Sequence, residues 1–141
     1  MNKQKGQALI EFALVLPFFL LLVFSLIYTG MLFHDYSTLS NIARTAARDR
    51  AITDNVDDSV IIGRYYDSAK GKFKYALVTD LYKPGAGEEE SANPAMAIET
   101  TSDGDIIVTI NMRLGSDTSP LMEMVLPDKY SIVYHMRKDS N

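Results

Sequence analysis

Residues 7–33 read QALIEFALVLPFFLLLVFSLIYTGMLF, and 21 of these 27 are apolar, with Glu11 the single charge. Phe12 to Phe33 is an uninterrupted run of 22 uncharged residues. As a helix this run is about 33 Å long, at about 1.5 Å per residue. The hydrocarbon core of a bilayer is about 30 Å thick. The direct reading is therefore one helix that crosses a membrane. The soluble alternative is a central helix buried on every side, which needs more core than residues 34–141 can supply. A cleaved secretory signal has an apolar region of about 7–15 residues and a small-x-small cleavage site. This run is longer, and Leu, Ile and Tyr separate its small residues Ser25 and Gly30. Pro17 lies inside the run, where a membrane helix tolerates it as a kink.

Outward from this segment the composition changes abruptly. Residues 34–141 carry 44 apolar residues and 29 charges, and five of the six Phe lie within 12–33. The mean hydropathy of −0.03 averages a greasy rod with a polar body. That split excludes a uniformly soluble globule and a multi-span transporter, and the polar part has room for one small core. The net charge of −4 and the lack of a Lys/Arg-dense, aromatic-rich stretch argue against nucleic acid as a partner. With no Cys, disulfides, zinc ribbons and thiol catalysis are excluded. Lys3 and Lys5 precede the span, Asp35 follows it, and the next base is Arg44. The positive-inside rule then keeps the amino terminus cytoplasmic and exports the body.

The mouth of the span has its own pattern. Lys3-Gln4-Lys5-Gly6 is a basic leader ending in Gly, and Glu11 stands five residues on. A charge at mid-bilayer costs roughly 2.5–3.5 kcal/mol on insertion scales and persists where it has a partner. Two readings stand: Glu11 reaches the nearby interface, or it pairs within the membrane.

Gly6-Gln7-Ala8-Leu9-Ile10-Glu11-Phe12-Ala13-Leu14-Val15-Leu16-Pro17 resembles a class III, prepilin-type signal. More closely, it resembles the start of TadE-like proteins, the minor pilins or pseudopilins of tight-adherence (Flp-type) pilus systems. The resemblance covers about residues 5–50. It includes Leu39-Ser40-Asn41-Ile42-Ala43-Arg44-Thr45-Ala46-Ala47-Arg48, similar to the Ala/Arg-rich helix that follows the span in that family. Tyr134-His135-Met136-Arg137-Lys138 loosely echoes the family's carboxy end. The chain departs from the pattern at Phe12, where major Flp pilins usually carry Tyr, and at Ala46, where many TadE-like sequences have Gly.

The resemblance implies a structural, self-assembling subunit of the bacterial inner membrane and no enzyme. A membrane-embedded prepilin peptidase would cut between Gly6 and Gln7, a Gly there allowing close approach. Losing the two leader lysines takes the formal charge from −4 to −6. The new ammonium on Gln7 lies about one helical turn from Glu11. In related pilins this acid is thought to pair with the amine of a neighbouring subunit. Phe12 and Pro17 belong to the same assembly segment. The implied partners are the membrane, the peptidase, other pilin or pseudopilin subunits and platform proteins, with roles in pilus assembly, secretion, adhesion and surface colonisation. The rival reading is an uncleaved single-pass protein whose exported head binds a partner.

Past the span, Met31, Leu32, Tyr36, Leu39, Ile42, Ala43, Ala46 and Ala47 recur at spacings of three and four, one apolar helix face. One helix is expected from about Gln7 to Ala51. Arg44 and Arg48 share another face, either to meet an acidic partner or lipid headgroups or to be solvated while covering the body. Asp54 or Asn55 is expected to cap a second helix from about Val56 to Tyr82, weakened by Gly63 and Gly71 and ended by Lys83-Pro84-Gly85. Gly85 to Pro94, with Glu88-Glu89-Glu90, reads as an exposed loop.

The period then becomes two. Met96, Ile98 and Thr100 alternate with Ala97 and Glu99, and Ile106 to Leu114 alternates likewise after the turn Ser102-Asp103-Gly104-Asp105. Ser119-Pro120 opens a short helical turn to about Val125. Tyr130 to Met136 alternates again, with His135 outward. The expected organisation is a leader at 1–6, a transmembrane and stalk helix at 7–52 and an exported head at 53–141. The fold class is α+β: a long amino-terminal helix, then a pilin-like head with a second helix and a three-stranded antiparallel sheet. No hydrolase, phosphate-loop or metal-ligand spacing is present, so no catalytic residue, metal, cofactor or small-molecule substrate is expected.

Overall fold

Without a charge pair or turn motif to stop it, the apolar run continues as helix straight into the Ala/Arg-rich stretch. In a computed structural model that describes residues 2–53, 55–75, 81–85 and 94–137, helix α1 spans Asn2–Ile52. The side chains of residues 2–6, 121 and 125 are outside that description. Pro17 lies within α1; its missing N–H deprives the Ala13 carbonyl of its usual partner. The chain divides into two compact units, Met1–His34 and Asp35–Asn141.

In the first unit, α1 shows no buried side chain from Gln7 to His34. Large residues on every side of it are exposed, Leu9, Phe12, Phe18 and Leu21 among them. The Thr29 hydroxyl donates to the Ser25 carbonyl at 2.8 Å, one turn back, which satisfies this polar group inside the helix.

In the second unit the same helix buries a stripe: Leu39, Ile42, Ala43, Ala46 and Ala47. Spacings of three and one keep them on a single face. Three of the five are Ala, and contacts from Tyr36 to Tyr130 and from Arg44 to Tyr134 lay this stretch against one face of an antiparallel sheet. Strands β4 (Met96–Thr100), β5 (Ile106–Leu114) and β6 (Lys129–Met136) follow the period-two pattern of the sequence. β5 pairs with β4 in the register Met96↔Ile110 to Thr100↔Ile106, and with β6 from Ile106↔Met136 to Arg113↔Lys129. Ile106, Val108, Ile110 and Met112 of β5, Met96 and Ile98 of β4 and Ile132 of β6 form the buried face. The alternate β5 residues are partly or fully exposed, so a one-residue slip would bring them into the core. The β4–β5 turn is closed by the Thr101 N–H and hydroxyl, which both donate to the Asp105 carbonyl, and by Gly104 at φ 84°, a conformation that suits Gly.

A fourth short strand, β3 (Tyr82–Pro84), extends the expected three. It pairs with Met112 to Leu114 of β5 and so continues the β4 edge rather than widening the sheet. Three residues ending in Pro leave too little alternation to read as a strand, and Pro84 suits an edge.

The long second helix is corrected. Helix α2 is only Asp58–Tyr65. After it come β1 (Tyr66–Asp67) and β2 (Lys72–Phe73), an antiparallel pair with Tyr66 opposite Phe73. The cause is local. The Asp67 carboxylate accepts from the backbone N–H of Ala69 and Lys70, and Gly71 takes φ 59°. This Asx turn competes with helix and wins at the glycine. The Tyr66 and Phe73 rings then meet at 5.2 Å. Ala76 and Leu77 of the expected stripe lie outside the described residues, as do residues 86–93 of the Gly85–Pro94 loop and Asp54. Asp57, not Asp54 or Asn55, caps α2, accepting from Ser59 N–H at 3.3 Å. Lys83-Pro84 ends no helix but forms β3. Helix α3 (Pro120–Val125) stands where Ser119-Pro120 placed it, although Ser119 caps through its carbonyl and not its hydroxyl.

Candidate assembly helix and the helix that docks on the body

Gly6 and Gln7 lie in the helical backbone of α1, with Glu11, Phe12 and Pro17 on the following turns. Side chains three and four apart share a helix face. Around Glu11 these neighbours are Gln7, Ala8, Leu14 and Val15. Gln7 is the one polar group among them, so the carboxylate sits on a greasy surface one turn from residue 7. Such a surface favours a cationic partner over an unpaired charge when water is excluded. Gly6, Gln7, Glu11, Phe12 and Pro17 thus form one continuous helical segment.

Arg44 and Arg48 belong to the second unit and are both exposed. The Arg44 guanidinium lies 5.7 Å from the centre of the Tyr134 ring on β6, a cation–π contact across the helix–sheet packing. Nearby, Asp49 gathers three groups. It accepts from the Tyr65 hydroxyl at 2.7 Å and from Arg64 at 3.3 Å, and its carbonyl accepts from Thr53. Burial and the Asp49 hydrogen bond push the Tyr65 phenol up to about 12. Arg50 contacts Asp58 at 2.7 Å and donates to the Thr53 carbonyl, which ties the end of α1 to the start of α2.

Where the uncharged run ends, a cluster appears that the sequence reading missed. Asp35 is buried. Tyr36 meets Tyr130 at 6.3 Å, and Tyr130 meets Tyr82 edge-on at 4.8 Å. The Tyr82 hydroxyl donates to the Pro127 carbonyl at 3.0 Å. Burial, reinforced by the Asp35 charge, pushes Tyr130 up to about 12, and burial also raises Tyr82. The available signal was the phase of β6: Tyr130 falls in register with Ile132 and Tyr134 on the inward face. Among the described residues no group of three or more His, Asp or Glu is placed to hold a metal ion.

Residues 6–48 match the family model described as TadE-like protein. This segment is TadE-like. The match begins at Gly6 and ends at Arg48, so it takes in Gly6, Gln7, Glu11, Phe12, Pro17, Arg44 and Arg48. It covers less than a third of the chain, and the body beyond Arg48 lies outside it. No curated protein and no solved structure matches the chain. The TadE-like segment connects the protein with tight-adherence pili and with a structural rather than catalytic family. It also supplies a helix long and apolar enough to cross a membrane, near the amino terminus.

Proposed function

We propose that this protein is a membrane-anchored minor pilin or pseudopilin of a tight-adherence-type system. The prepilin peptidase cuts it after Gly6, its head is exported, and it enters a pilus or secretion filament that serves adhesion and surface colonisation. The observation that carries this reading is the TadE-like match across 6–48 on a helix whose apolar surface is exposed all round from Gln7 to His34. A surface of that kind is stable in lipid, and equally when packed against copies of similar helices. Glu11 then acts as the register element. Its carboxylate pairs with the new amine on Gln7 of a neighbouring subunit, because an unpaired charge in an apolar environment is costly.

Pairing is tested by filament composition. Glu11→Gln and Glu11→Ala are expected to be processed normally, yet to be depleted from filaments sheared off the cell surface. Incorporation of both variants at the wild-type level contradicts the pairing role.

A further inference from the structure

Strand β6 (Lys129–Met136) is eight residues long and pairs with β5 on the side away from β3 and β4. That pairing fixes which of its backbone groups are used. The Leu114 N–H donates to the Asp128 carbonyl, and the register then runs without interruption from Arg113↔Lys129 to Ile106↔Met136. Hydrogen-bonded and non-hydrogen-bonded pairs alternate along an antiparallel ladder. With Leu114 bonded to Asp128, it is Tyr130, Ile132, Tyr134 and Met136 that bond to β5. The N–H and C=O groups of Lys129, Ser131, Val133 and His135 point outward, and no described strand pairs with them. The opposite edge is covered, with α2 against β4 and β2 against β3.

Open edges are usually blunted by charge, Pro or a bulge. The middle of this one, Ser131-Ile132-Val133-Tyr134, has none of these. Charge stands only at its two ends and is basic at both: Lys129 at one, Arg137 beside His135 at the other. A second β6, paired antiparallel about Ile132, brings Lys129 against His135; paired about Val133, it brings Lys129 against Arg137. Basic groups then oppose basic groups, which disfavours a second copy as the occupant.

The sheet face turned away from α1 points to the charge of the occupant. There Lys83 of β3, Arg113 of β5 and Lys129 of β6 stand opposite one another in a single row. Like charges directly opposite are destabilising. Lys83 meets Asp117 at 3.3 Å, whereas Arg113 and Lys129 have no ion-pair partner among the described residues. A strand added beyond β6 continues this row, and a carboxylate in that place offsets it.

We propose that the edge of β6 takes up an extended acidic segment of another protein as a further antiparallel strand, with one carboxylate opposite Lys129 and a second, six residues along, opposite His135 and near Arg137. Main-chain hydrogen bonds supply affinity in such additions, and alternate side chains supply specificity. The surface lies wholly within the second unit of the chain.

The probe is a dye-labelled peptide, Thr-Glu-Thr-Val-Thr-Val-Thr-Glu-Thr, which reads the same in both directions. Its binding to the full chain in uncharged detergent micelles is followed by fluorescence anisotropy. Lys129→Glu is expected to weaken binding about tenfold and to favour the peptide with Lys in place of both Glu. Val133→Pro removes an outward N–H and no bond to β5, so binding is expected to vanish while urea unfolding stays cooperative. Methylating the two Val amides of the peptide, which face β6, is expected to abolish binding to the unaltered chain. Methylating the central Thr amide, which faces outward, is expected to leave it within about twofold. Unchanged binding of the Val-methylated peptide, or equal loss from both methylations, overturns the strand addition. Unchanged binding to Lys129→Glu overturns the acidic partner. Self-association of the chain in sedimentation that disappears in Val133→Pro assigns the edge to a second copy and also overturns the proposal.

Discussion

Residues 7–34 and 35–52 belong to one helix, and the two stretches keep opposite company. In the first, large apolar side chains are exposed around the whole circumference. In the second, a single stripe is buried, Leu39 and Ala43 completely, and Arg44 and Arg48 lie elsewhere on the surface. The difference shows two uses of one geometry. A stripe of apolar residues is a core face, completed by the chain's own sheet. An apolar circumference cannot be completed by a body this small, and it requires lipid or other helices.

The sharpest way to break this contrast is one substitution made twice. Leu39→Ala is expected to destabilise the body by about 2–5 kcal/mol, since it opens a cavity at a fully buried site. Leu21→Ala, on the exposed stretch, is expected to leave body stability unchanged. Urea unfolding in detergent micelles, followed by tyrosine emission, reads both; seven of the eight Tyr lie beyond residue 34. Equal losses would mean that the two stretches are not distinct.

A smaller effect tests how close the helix sits. Ala46→Leu is expected to cost about 1–3 kcal/mol, because the added atoms have no room at a fully buried position. Ala13→Leu is expected to be neutral for the body. Neutral behaviour of Ala46→Leu in the same unfolding assay would show that the small-residue stripe does not set the approach.

The smallest effect concerns alkaline pH. The phenols of Tyr65 and Tyr130 are raised to about 12 in the folded body, against about 10 when unfolded. Folding therefore favours their neutral forms. Their contribution is complete below about pH 10 and is lost as pH rises through about 12. Body stability is expected to fall across this window, and less steeply in Tyr65→Phe. An unchanged slope in that variant would remove Tyr65 from the account.

Much of this organisation is legible in the sequence. The span is visible because charge is excluded for 22 residues, and the docking stretch because Leu39, Ile42, Ala43, Ala46 and Ala47 keep a helical period. β4, β5 and β6 are visible because their core faces alternate. The second helix was over-extended because Val60, Ile61, Tyr65, Ala69 and Phe73 also fit a helical period. That fit holds only while Asp67 and Gly71 are ignored, and a side-chain-closed turn outweighs apolar spacing when Ala69 contributes nothing to the core. β3 was hidden because its partner lies some thirty residues away on β5. At the candidate site, Gly6, Gln7, Glu11, Phe12 and Pro17 can be read because they follow one another along the chain. The Asp35–Tyr36–Tyr82–Tyr130 cluster cannot, since it joins distant residues through register.

The central claim is that the exposed stretch of α1 is an assembly helix that is first processed. Co-expression with a prepilin peptidase, followed by amino-terminal sequencing of the purified chain, tests it most directly. The account predicts a mature chain that begins at Gln7. A chain that still begins at Met1 or Asn2 in the presence of active peptidase would contradict it.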